Sequence, residues 1–126
     1  MSSVPRGLRF GFDRCAFERG RAHDGTREIS FARVLEREGA PLRFMDLVTV
    51  PPGADIGLHT HASDNEEIYV IVSGTGRMTL DGEEFQVNPG DVVVNRPGGT
   101  HGLQNGSGEE MRIVVIEVRS TLERVP

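Results

Sequence analysis

The chain has no lysine. All 14 of its basic residues are arginine, so neither a Schiff-base lysine nor the lysine of a phosphate loop is present. It has a single cysteine, Cys15. That excludes an intrachain disulfide and makes a reducing compartment, the cytoplasm by default, the expected address. No basic surroundings can be assigned to Cys15, and it is read as inert. Positive charge is also in deficit: the formal net charge is -5, which argues against a nucleic-acid partner or an anionic membrane surface. No stretch approaches the roughly 20 apolar residues of a membrane span, and Met1 to Phe12 lacks the apolar run of a signal peptide. There is no Gly-x-Ser-x-Gly, no dinucleotide fingerprint and no repeat at a solenoid period. What remains is 126 residues, 37% hydrophobic and 26% charged, the profile of one ordinary globular domain.

Turn signals divide that domain at intervals of about ten residues, the pattern of an all-β sandwich or barrel. Residues 1–26 carry little periodicity and read as an arm whose aromatics Phe10, Phe12 and Phe17 pack on the barrel or on a partner. The run Arg27 to Arg37 fits a strand or a short helix, ended by Gly39 and Pro41. Leu42 to Val50 is a β-branched apolar strand stopped by Pro51-Pro52-Gly53. Further strands are expected at 67–73, 77–80, 84–87, 92–95, 100–104 and 111–118, which places the barrel at 27–118 and a polar tail at 119–126. Ile68, Val70 and Val72 alternate with Tyr69 and Ile71, so both faces of that strand are apolar. One face lines the interior, and the other needs a cover: a second sheet, the arm or another copy of the chain.

Three histidines and a glutamate are spaced to hold one metal ion. His59 and His61 are two residues apart, and strand residues i and i+2 face the same way about 6.6 Å apart. Glu67 is placed to reach the same point from the neighbouring strand, and His101, beyond the Pro97-Gly98-Gly99 turn, from the opposite side. Three imidazoles and a carboxylate suit a first-row divalent ion and leave coordination positions open. Glu66 is the alternative carboxylate; Glu67 is preferred because its distance to Gly74 fixes the strand register, with the extra residue absorbed in the loop 62–65. Four other residues carry weaker signals. His23 is read as a solvated loop histidine over one that folds across the barrel mouth to touch a ligand, and Arg96 as a surface arginine over a cavity-rim guanidinium that holds a carboxylate or phosphate. Asp46 is a cavity carboxylate, a partner for a histidine, or solvent-facing. Tyr69 is more a packing residue than an acid, yet its inward face makes it a candidate cavity residue.

The two segments resemble the two motifs of the cupin superfamily. Gly53, His59, His61, Glu67 and Gly74 match the first, with five residues instead of three or four between His61 and Glu67. Gly90, Gly98, His101 and Asn105 match the second, except that Arg96 stands where the family has proline. The short step from Gly74 to Gly90 is similar to that of small single-domain bacterial cupins. The resemblance covers residues 42 to 118 and implies a double-stranded β-helix, a jelly-roll barrel that limits exposed sheet edges. It also implies one divalent transition metal (Fe, Mn, Ni, Zn, Co or Cu) at His59, His61, Glu67 and His101, and a homodimer.

Cupins carry out dioxygenation, isomerisation, decarboxylation, lyase and cyclisation chemistry, so the expected function is metal-dependent catalysis on a small oxygenated molecule. A non-catalytic metabolite or sugar sensor is the rival, and fold does not choose between them. The expected cavity is mostly apolar and closed at its far end. Its lining is expected from Tyr69, Ile71 and side chains of Leu42 to Val50 and Met111 to Val118.

Overall fold

A computed structural model describes residues 6–61 and 64–120. Within them lie ten strands and no helix: β1 (Glu18–Gly20), β2 (Ile29–Glu36), β3 (Leu42–Val50), β4 (Asp55–Thr60), β5 (Asn65–Ser73), β6 (Gly76–Leu80), β7 (Glu83–Val87), β8 (Val92–Asn95), β9 (Thr100–Gln104) and β10 (Met111–Arg119). They form a six-stranded sheet, β1-β2-β3-β10-β5-β8, and a four-stranded sheet, β4-β9-β6-β7. Pairing between these strands is antiparallel throughout. The two sheets face each other as a double-stranded β-helix. No helix among the described residues is long and apolar enough to cross a membrane.

The run that sequence left between strand and helix is the strand β2. Its alternation decides it, because Ile29, Phe31 and Arg33 all reach one cavity. β5 starts at Asn65, two residues before the expected start, and β10 continues to Arg119. Ala62 and Ser63 of the expected loop, residues 1–5 of the arm and 121–126 of the tail lie outside the described residues.

The core fills one end of the barrel. Across the large sheet, Val48, Ile113 and Ile71 stand in register, as do Asp46, Val115, Tyr69 and Val93. Across the small sheet the matching row is Ile56, Leu103, Met78 and Phe85. Val50, Leu103, Met111 and Ile113 are wholly buried, each contributing roughly 1.5–3 kcal/mol of transfer free energy. Gly74 makes the return from β5 to β6 with φ 78°, and a Cβ there would come within 2.9 Å of the Met111 Cα. Only glycine combines that φ with that approach.

Part of the large sheet's outer face is covered from within the chain. Arg112 lies 3.7 Å from Asp13 and 5.2 Å from the centroid of the Phe12 ring, which itself stacks with Phe17. Leu47 and Ala32 are buried although they stand outside the core cluster. Towards β8 the cover ends, and Val72, Val92 and Val94 are 45%, 59% and 40% exposed.

Candidate metal centre

Four side chains meet between the two sheets, beside the core. Donor atoms of His59, His61, Glu67 and His101 all lie within 4.8 Å of one another. His59 and His101 are direct cross-strand partners on β4 and β9. His61 follows β4, where its N–H donates to Gly99 (3.0 Å) and its carbonyl accepts from Gly98 (3.0 Å). Glu67 comes from β5 in the facing sheet. Two expectations are therefore corrected. His101 is the neighbour of His59, not its opposite, and Glu67 crosses the barrel instead of standing next door. The reason is topological: the chain changes sheets between β4 and β5, which sequence spacing does not reveal.

The Glu67 carboxylate faces two rings at once. Oε1 is 3.3 Å from His101 Nε2, and Oε2 is 3.4 Å from His61 Nε2. Burial pushes the Glu67 carboxyl up, but the His101 contact and the surrounding imidazoles outweigh it and hold the group below its usual range. Glu66, next along the strand, points to the opposite face and accepts a hydrogen bond from Ser120 Oγ (3.2 Å). Strand alternation thus separates the two adjacent carboxylates.

His59 has a defined tautomer. Its Nδ1 lies 2.7 Å from the Gly57 carbonyl, which can only accept, so Nδ1 carries the proton. Nε2 is left as a buried lone pair with no hydrogen-bond partner among the described residues. His101 Nδ1 is likewise buried without a partner among them. Orphaned polar atoms of this kind cost about 1–3 kcal/mol each. Burial pulls the His59 imidazole down to about 4, so the lone pair is available at neutral pH.

This set fits a divalent transition metal. Donors bound at about 2.0–2.2 Å sit about 3–4.5 Å apart, and donors within 4.8 Å of one another need only a small inward shift to reach that span. An imidazole anchored through Nδ1 to a carbonyl with Nε2 free is how metal-ligating histidines are usually held.

Acid should destabilise the metal-free protein through these groups. The folded pKa of His59 lies below its ordinary 6.5, so its contribution is complete above pH 6.5 and is lost as pH falls toward about 4. Glu67, also held low, adds a loss as pH falls below 4.5. For a half-buried, partly screened ring the His59 share is on the order of 1–2 kcal/mol. Thermal melts in chelator between pH 7.5 and pH 4 should show the decline, and a flat profile would contradict it.

Beside the cluster lies a cavity of about 280 Å³, lined in part by His23, Phe31, Phe44, Val48, Glu67 and Tyr69. Burial, then Glu67, raise the Tyr69 phenol well above its ordinary value, so its proton stays on. The hydroxyl is 3.3 Å from His101 Nε2. Ile71, expected in this lining, sits instead in the packed core.

Asp46 also lines the cavity. Among the described residues its partner is Arg33, not a histidine, through two contacts of 2.9 and 3.1 Å. The Arg33 guanidinium lies over the Phe44 ring at 4.0 Å. Sequence reasoning missed Arg33; the period-2 alternation from Ile29 was the signal. Arg96 is exposed and takes no part, and Cys15 is a free, part-buried thiol. His23 is an exposed turn residue, as expected, and its ring also stacks on His59.

The model of the Cupin domain family matches residues 46–117. The chain belongs to the cupin family. An oxalate-binding protein of Thermotoga maritima is 28% identical over 94 residues, 73% of this cupin and 77% of that protein. An uncharacterized protein of Methanocaldococcus jannaschii is 40% identical over 65 residues, 52% of this cupin and 51% of that protein. Among solved structures, a predicted oxalate decarboxylase from Thermotoga maritima has a TM-score of 0.84 at 24% identity, covering 90% of this cupin and 100% of that chain. At that identity the likeness establishes the fold.

Proposed function

We propose that this cupin holds one divalent transition metal at His59, His61, Glu67 and His101 and is an enzyme acting on a small oxygenated molecule, with compact carboxylates as the first class to test. The observation that carries the reading is the buried, unpartnered Nε2 of His59 in a ring whose other nitrogen is already engaged. An ion bound there would act as a Lewis acid toward an oxygen of the ligand. The chain supplies the rest. Phe31, Phe44 and Val48 exclude water from a cavity large enough for only a small ligand. Tyr69 keeps a proton beside the carboxylate of Glu67. The Arg33–Asp46 pair puts a fixed dipole on the cavity wall. The oxalate-related names of two relatives support trying oxalate first. The single free cysteine suits a cytoplasmic setting. Elemental analysis of protein purified without added metal tests the reading: one ion per chain supports it, and none, even after reconstitution, refutes it.

The same reading includes a homodimer formed through the outer face of the large sheet. Ile68 and Val70 pair with Val94 and Val92 on one side and with Ile116 and Val114 on the other. This apolar face runs out to the exposed edge valines, and a second copy is the occupant that a self-complementary strip accepts. Light scattering should give twice 13.8 kDa at micromolar concentration, and Val92→Glu should halve it. A parent protein of 13.8 kDa would exclude the dimer.

A further inference from the structure

His23 is not one of the four converging donors, yet the chain is built to deliver it to them. Residues 21–25 form a strap fastened along β4. The Ala22 carbonyl accepts from the N–H groups of Gly57 (3.0 Å) and Gly25 (3.0 Å), and Ala22 bridges Ile56 in parallel. Thr26 closes the strap, its N–H and Oγ1 both donating to Asp55 Oδ1 at 2.7 Å. Two glycines make the approach possible. A Cβ on Gly57 would overlap the His23 carbonyl oxygen, and one on Gly25 would overlap that of Asp55.

Between these anchors His23 and Asp24 hold φ values of 50° and 59°. That left-handed region is disfavoured for residues with a Cβ, though histidine and aspartate enter it more readily than most. Two consecutive residues are thus held against their local steric preference. The result is one placement: the His23 ring lies parallel to His59, 3.4 Å between centroids and 9° between planes. It lines the same cavity as Glu67 and Tyr69. Both His23 and Arg21 are exposed at the cavity mouth, and among the described residues the ring nitrogens have no hydrogen-bond partner and the guanidinium no ion-pair partner. Arg33, in contrast, is matched by Asp46 and Glu36.

We propose that His23 is a ligand-contacting residue: its ring nitrogen hydrogen-bonds the small carboxylate that occupies the cavity beside His59, His61, Glu67 and His101. This rests on the metal reading above. Any ligand entering beside His59 meets the stacked ring. The unmatched Arg21 favours an anion at that position over a neutral molecule.

The test compares the parent with His23→Asn, which keeps a residue tolerant of positive φ, and His23→Gly, which removes the backbone strain altogether. Each is loaded with cobalt(II), its metal content and melting temperature are measured, and oxalate is titrated while the visible spectrum is recorded. The expected result is one cobalt per chain in all three proteins and oxalate bound at least tenfold more weakly by both variants. Equal oxalate affinity in folded, cobalt-loaded variants overturns the inference and leaves the metal reading standing. So does a parent cobalt spectrum that oxalate does not perturb. Loss of cobalt from both variants also overturns it, since His23 would then be supporting the metal cluster. A parent that takes up no cobalt removes the metal reading and this inference together.

Discussion

Glu67→Gln should lose its metal while remaining folded. The substitution keeps the shape of the side chain but removes the only anionic donor of the cluster, the one that spans between His61 and His101. Replacing residues that merely support a ligand typically costs 10–100-fold in metal affinity, so removing the anionic ligand should cost at least about 100-fold. Elemental analysis after dialysis against a weak chelator should read near one ion per chain for the parent and near zero for the variant, and any metal-dependent turnover should vanish. The fold should survive, because the packed end of the barrel around Val50, Leu103, Met111 and Ile113 makes no use of Glu67. Circular dichroism of the variant should match that of the metal-free parent. A variant that fails to fold would mean that the ion is a structural staple.

Asn105→Ala should produce the largest loss of stability. The side chain is buried and every polar atom of it is engaged. Nδ2 donates to the carbonyls of Val50 (2.8 Å) and Glu109 (2.7 Å), and Oδ1 accepts from the Ser107 N–H (3.0 Å) and Oγ (2.7 Å). The backbone of the same residue pairs with Gly53 and Ala54. The side-chain amide thus fastens the end of β3 to the loop that leads into β10, while the backbone of the same residue holds the turn after β3. Truncation leaves a buried carbonyl unpaired, for an expected loss of about 2–4 kcal/mol, or about 10 °C in a protein of this size. Asn105→Asp should be no better, since it turns acceptors toward the Val50 and Glu109 carbonyls. A melting point within about 2 °C of the parent would show that the loop holds itself.

The residues that sequence made legible are those whose role depends on local spacing. His59 and His61 share a strand face, Gly74 and Pro97-Gly98-Gly99 mark turns, and the choice of Glu67 over Glu66 follows from register; the structure brings together the same four donors. What was not legible depends on contacts distant in sequence. Which sheet each strand joins is settled by crossovers, so His101 and Glu67 exchanged their expected sides. Arg33 was hidden because its segment supports two periodicities until β3 lies beside it. His23 was legible as an exposed loop residue, but its stacking on His59 was not, because no local pattern shows that Gly57, thirty-four residues on, leaves the space its backbone occupies. Asn105 was legible as a motif position, but its work as a tie between three segments was not.

The strap has a second consequence, for how the protein behaves among copies of itself. β4 is an edge strand of the small sheet, and an edge strand with free N–H and C=O groups is a template on which other chains can add. The Gly57 N–H that would be offered outward is already taken by Ala22, and Thr26 ties the strap to the Asp55 side chain on the same strand. The segment that carries His23 therefore also blunts this edge against strand addition. Releasing it would remove part of the cavity wall and uncover a site for aggregation in the same motion.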